Sequence, residues 1–367
     1  MTQSENRYIL LALCARVQGH PTQYQHLQQQ AAKITDWRNL TTEAEEHNLT
    51  PLVYTHLQAA NISIPDAVKE QLLVRTRQHA HANQIRAKTL AEVLNAFQAA
   101  GIDALVLKGA ALAHLAYPQP GLRAMRDVDL LVSRSQARQA QRLLAESGFN
   151  APLPDGDLPA KHLTVAQRTV EGLPVSIEIH HNLYARGTAV TELETLQPTA
   201  IPFTLEGITA YTLNYEDMLD HIYGHAVNIF RPLTLIAVAD MVGIAENYIN
   251  EIDWHQVTPR VRQGLALFHW LTPLSDELLD LAALNTGHRP KGIGQEFQGW
   301  PRYALAVQRH KGYTGIVRDT FSPPEWWLRF YYSLPSGSAM WWGRLVRHPL
   351  HISGWVRHYF VNRRKNV

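Results

Sequence analysis

Two aspartates two positions apart, Asp127 and Asp129, stand in the run Arg126-Asp127-Val128-Asp129-Leu130-Leu131-Val132. The aliphatic content predicts a strand. Side chains alternate along a strand, so the two carboxylates share one face while Val128 and Leu130 take the other. Neighbouring carboxylates repel unless water, arginine or a divalent cation offsets their charge. Mg2+ suits such a pair, because it takes hard oxygen ligands and keeps places for water and phosphate oxygens. A third acid comes from Val175-Ser176-Ile177-Glu178-Ile179-His180, where Ser176, Glu178 and His180 share the face opposite Val175, Ile177 and Ile179. If the two strands lie close together, Asp127, Asp129 and Glu178 form a three-carboxylate cluster able to hold Mg2+ or Mn2+ for phosphoryl transfer.

Cationic groups precede the aspartates. Ala104-Leu105-Val106-Leu107 predicts a short strand entering a turn at Lys108-Gly109, followed by the helical stretch Ala110–Tyr117. Glycine lets a backbone approach a phosphate closely, and a helix N-terminus with Lys108 supplies positive charge. Arg123 and Arg126 follow the break Pro118-Gln119-Pro120-Gly121 and offer guanidinium forks to phosphate. Lys108, Gly109, Arg123 and Arg126 thus read as a nucleoside triphosphate site. The plainer alternative is a solvated edge strand whose aspartates pair with Arg123 and Arg126.

This order of elements resembles the DNA polymerase β-like nucleotidyltransferase superfamily: a strand, a turn, a helix, a strand bearing Asp-x-Asp, and an acid on a later strand. More narrowly, the stretch from Gly101 to Val132, the helix ending near Phe149, the preceding "AEEHNLTPLVYTHL" and the later "IEIHHNL" are similar to a bacterial family of uncharacterised nucleotidyltransferases. The similarity covers most of the chain up to about residue 250. It implies metal ligation by Asp127 and Asp129, with Glu178 as third carboxylate, and a nucleotide-phosphate turn at Lys108 and Gly109. The chain departs from the superfamily in two ways. Lys108-Gly109-Ala110 replaces the usual Gly-Ser, and 17 residues separate Gly109 from Asp127.

A second polar group lies downstream. Asp217, His221 and His225 recur at four-residue steps and share a helix face, and Asp240 sits on the next apolar helix. They could bind a transition metal, make interhelical hydrogen bonds, or line an acceptor pocket. The zinc-protease pattern is absent, since no Glu follows the first histidine. Lining the acceptor pocket is the expected role, with His180 joining it; strand alternation turns His181 away.

Four segments position these groups. Residues 1–100 have helical spacing, with a helix starting at Pro65-Asp66 and stopping at Gly101. Residues 101–212 mix strands and helices, including a helix capped by Ser133 or Ser135 and a hairpin turning at Glu171-Gly172. Residues 213–325 return to helix, and 326–367 form a basic, aromatic end. The expected fold is α+β (mixed α/β): a small mixed β-sheet nucleotidyltransferase core flanked by helical regions.

The chain has 367 residues, a net charge of +2 and 46% hydrophobic residues, enough for a packed core of more than one segment. One cysteine, Cys14, excludes an internal disulfide and fits a cytoplasmic setting. "LALC" at 11–14 fits a first core helix better than a lipoprotein site, and no apolar run reaches transmembrane length. From Trp326 to Val367 there are seven Lys/Arg and no Asp or Glu, with Trp326, Trp327, Trp341, Trp342 and Trp355. That mixture suits first helices that pack their aromatics inward with arginines reaching outward, then a membrane surface, and less well single-stranded nucleic acid.

The expected activity is metal-dependent transfer of a nucleoside monophosphate from an NTP, ATP among the candidates, to an unidentified acceptor. Two other classes stay open: a non-catalytic module binding a nucleotide or partner on the same fold, and a metal hydrolase built on His221, His225 and Asp240.

Overall fold

The computed structural model describes residues 2–184, 191–227, 233–299, 313–334 and 340–363. Four helices come first: α1 (Gln3–Leu13), α2 (Pro21–Ala31), α3 (Leu40–Glu46) and α4 (Thr50–Ala59). Leu10, Leu11 and Cys14 are buried, so the "LALC" stretch belongs to the core. A long helix, α5 (Asp66–Ala99), starts after Pro65 and ends just before Gly101, whose φ of +69° suits a residue without a side chain.

The sheet then forms from β1 (Ala104–Leu107), β2 (Asp127–Val132), β3 (Ala166–Val170), β4 (Leu173–His180), β5 (Ile201–Leu205) and β6 (Ile208–Thr212). Its six strands lie in the order β3-β4-β2-β1-β6-β5. β2 runs parallel to β4 and antiparallel to β1. The β3–β4 hairpin turns at Glu171 and Gly172, which both have positive φ, the tight-turn geometry that matches strand twist. Helix α6 (Lys108–Leu115) follows β1 directly, α7 (Ala137–Glu146) follows β2, and a single turn, α8 (Leu193–Leu196), precedes β5.

Alternation splits the sheet into two packed faces. Val106, Val128, Leu130, Val175, Ile177 and Ile179 pack in one core with Leu90 and Phe97 of α5 and Leu144 of α7. Leu105, Leu107 and Leu131 point the other way, into a core shared with α1–α4 and with α9 (Tyr215–Ala226), α10 (Leu235–Asn247), α11 (Pro259–Phe268) and α12 (Asp276–Leu281). This second face is the one that carries Asp129, Glu178 and His180.

One expectation needs correction. Neither Ser133 nor Ser135 caps α7: their hydroxyls lie 2.8 Å apart, and the capping position falls on Gln136, which makes no side-chain cap. The aromatic end is divided. Trp326 and Trp327 are core residues of a helix at Glu325–Tyr332, whereas Trp341 and Trp342 are exposed. Residues 335–339 and 364–367, and the side chain of Trp355, lie outside the described residues.

Candidate active site

Strand register builds the site. Leu107, Asp129 and Glu178 are lateral neighbours across β1, β2 and β4, so Asp129 and Glu178 project side by side from one face. Two residues further along, His180 lies on that face too and brings its Nε2 to 2.7 Å from Asp129 Oδ1 and 3.4 Å from Glu178 Oε2. Lys108 follows β1 with φ +47°, a left-handed conformation that costs a side-chain-bearing residue energy. Its Nζ lies 3.0 Å from Asp129 Oδ2.

Electrostatics follow from this packing. Burial alone would push the Asp129 carboxyl up, but Lys108 and His180 overcome it and hold the group far below the usual carboxylate range. The hydrogen bond from His180 lowers Glu178 against a smaller opposing effect of burial. Asp127 is raised, first by the surrounding protein and then by the Asp129 charge. Asp129, Glu178 and His180 offer one ligand atom each within 4.8 Å of one another. This is the one such group of three among the described residues. Asp127 shares the cleft but stands outside that trio.

The cleft in front of Asp127 and Asp129 has a volume of about 470 Å3, within the usual range for small-molecule sites, and neither Glu178 nor His180 lines it. Lys108, Gly109, Arg126, Asp127 and Asp129 line the sheet side. His225 of α9, Ala237 and Asp240 of α10, and Glu46 and His47 at the end of α3 line the other. Asp217 and His221 do not. Asp217 lies in the first turn of α9, where its backbone N–H donates to the cap Asn214, and His221 is buried below the cleft.

Arg123 and Asp240 both line the cleft, but they are committed to each other. Arg123 donates from Nη2 to Asp240 Oδ2 at 2.6 Å and from Nε to Oδ1 at 3.2 Å, while the Tyr117 hydroxyl donates to Oδ1 at 2.7 Å. Asp240 sits in a helix whose residues Leu235–Ala245 are all buried, so its charge requires such partners. This pairing corrects two expectations. Arg123 is not a free phosphate clamp, and a His221–His225–Asp240 metal set is not assembled because the Asp240 carboxylate is already used. Gly109 serves the same pair: a β-carbon there would collide with Arg123 Nη1.

Sequence reasoning missed Tyr117, and also Arg86 of α5, whose pKa burial lowers while the charge of Asp127 partly offsets it. The Tyr117 hydrogen bond to Asp240 spans 123 residues, a separation that no local pattern announces. His181 turns away, its Nε2 2.8 Å from the Pro159 carbonyl, and His180, expected in the acceptor pocket, reaches Asp129 and Glu178 instead.

Residues 33–271 match a family described as an uncharacterised nucleotidyltransferase. No curated protein and no solved structure matches the chain.

Proposed function

The chain belongs to this uncharacterised nucleotidyltransferase family, and from that premise we propose that it transfers a nucleoside monophosphate from an NTP to an acceptor hydroxyl or similar group. The observation that carries the reading is the lateral placement of Asp129 and Glu178 with His180, where Asp129, beside Lys108, faces the cleft.

The donor set fits a divalent cation. Asp129 is held ionised, Glu178 is lowered, and both offer the hard oxygens that Mg2+ and Mn2+ prefer. Asp129, Glu178 and Asp127 would hold the ion, with His180 orienting the first two through its Nε2–H. Such an ion neutralises triphosphate charge and makes an acceptor hydroxyl easier to deprotonate. Lys108 and Arg126 bind phosphate oxygens. Arg123 keeps the cleft wall in place through Asp240. The acceptor lies toward His225, Glu46 and His47. In the transfer, the acceptor oxygen bonds to the α-phosphorus, the bond to pyrophosphate breaks, and the acceptor proton passes toward Glu178. A cytoplasmic setting fits such a substrate; among the described residues, no helix is long and apolar enough to cross a membrane.

One observation favours a second reading. Lys108 Nζ already neutralises Asp129, and no serine stands in the turn, as expected of a module that binds a nucleotide without turning it over.

Calorimetric titration of the four NTPs, with and without Mg2+, separates these readings. Wild type is expected to bind one or more NTPs only with Mg2+. Asp129→Asn and Glu178→Gln should weaken that binding at least tenfold and lower pyrophosphate release by at least about a hundredfold. NTP binding indifferent to Mg2+ and to both substitutions, with no pyrophosphate released, would favour the binding module. No NTP binding by folded wild type would sink both.

A further inference from the structure

The segment from Met340 to Arg363 presents its sides in an unusual way. It comprises a short turn at Met340–Trp342, a π-helical turn at Gly343–Arg347 and a helix at His348–Arg363. The side against the body is partly polar. His348 is fully buried, with its Nδ1 accepting from the Tyr332 hydroxyl at 2.9 Å and its Nε2–H donating to the Thr320 carbonyl at 2.7 Å. Arg347 lies 4.8 Å over the Tyr332 ring, and Gly343 sits close against Leu334.

The exposed residues of the segment include several large apolar ones. Trp341 is 63% exposed, Leu345 69% and Leu350 65%, with Trp342 beside them at 44%. Of the 12 large hydrophobic residues exposed among the described residues, eight fall between Val317 and Val356. Exposed apolar surface concentrated in this way marks a contact site. Arg344 and Arg357 are exposed in the same segment, and no Asp or Glu occurs after Glu325.

The geometry points to docking of this face on an anionic lipid bilayer, lying in the headgroup layer without crossing it. Tryptophan favours that layer, leucine reaches the acyl boundary, and arginine pairs with lipid phosphate and carboxylate. Charge selects this occupant over a second copy of the chain, since two such faces would bring arginines together with no acid to offset them. It also fits better than nucleic acid. Leu345 and Leu350 offer nothing for a base to stack on, whereas acyl chains accept both. This inference is independent of the catalytic reading.

Flotation of the full chain with vesicles tests it, comparing phosphatidylcholine alone with phosphatidylcholine containing about one-third phosphatidylserine. The chain is expected to float with the anionic vesicles at least about tenfold more than with the neutral ones, and less in high salt. Trp341→Ser combined with Leu345→Ser should lower binding about tenfold. Arg357→Glu should lower it about fivefold on anionic vesicles only. All three positions are exposed, so an unchanged circular dichroism spectrum and melting temperature serve as the folding control. Absence of flotation, or flotation unaffected by these substitutions, would overturn the proposal. So would a concentration-dependent dimer, or oligonucleotide binding, that disappears with Trp341→Ser while vesicle binding is undetectable.

Discussion

Neither ring nitrogen of His221 has a hydrogen-bond partner among the described residues, although the side chain is buried edge-on to Tyr184. Burial, reinforced by the positive charges of Lys108 and Lys161, pushes its pKa well below the usual histidine value and keeps it neutral. An unfolded histidine titrates near 6.5. Below that pH the unfolded chain binds a proton that the folded chain refuses, so stability falls as pH falls through the unfolded pKa. His221→Phe removes both the unpaired nitrogens and this proton linkage while keeping the ring contact. Urea unfolding at pH 7 is expected to show stability unchanged or raised by up to about 1 kcal/mol. The loss of stability between pH 7 and pH 5 should also be smaller than in wild type. A loss of more than about 2 kcal/mol at pH 7 would mean that the imidazole makes a necessary polar contact. The sequence shows His221 only as one of three polar residues on a helix face. Its burial depends on what α9 packs against, which spacing along one helix does not specify.

The Arg123–Asp240 pair ties the turn after α6 to the middle of α10, two elements with no local reason to meet. Removing one partner leaves a buried charge uncompensated, so Arg123→Met or Asp240→Leu alone should each cost roughly 3–5 kcal/mol. The double substitution removes both charges together and should cost far less than the two single losses combined. Urea midpoints for the four proteins measure this coupling, and additive losses would show that the pair does not act as a unit. At this scale the sequence was most informative where periodicity carries the answer. The strand alternation of β2 and β4 placed Asp129 and Glu178 on faces that the structure turns the same way, and Glu171-Gly172 marked the hairpin turn. The parallel pairing that puts Asp129 directly beside Glu178 was not legible, because alternation gives a face and not a partner. Arg123 looked like a phosphate clamp because its type and position allowed it. Its actual partner lies 117 residues away.

At the scale of the whole chain, all six strands among the described residues lie between residues 104 and 212, which could suggest a core able to stand alone. The packing argues otherwise. The sheet face that carries Asp129 also presents Leu105, Leu107 and Leu131, and these join one continuous core running from Tyr8 through α9–α12 to Leu334. Phe97 and Leu90 of α5 cover the opposite face. Isolating residues 101–212 would expose both faces, and each large apolar side chain returned to water costs about 1.5–3 kcal/mol. A handful of such losses exceeds the 5–15 kcal/mol by which a typical native chain is stable. Residues 101–212 expressed alone are therefore expected to lack a cooperative thermal transition and to bind the dye ANS, as chains with unpacked cores do. The full chain should melt in one transition, shifted upward by any NTP that binds its cleft, because α3, β2 and α10 all contribute to that wall. A cooperative melt from 101–212 alone would show that the helical layers only cover the sheet. In that case an NTP should raise the melting temperature of the fragment as much as that of the full chain.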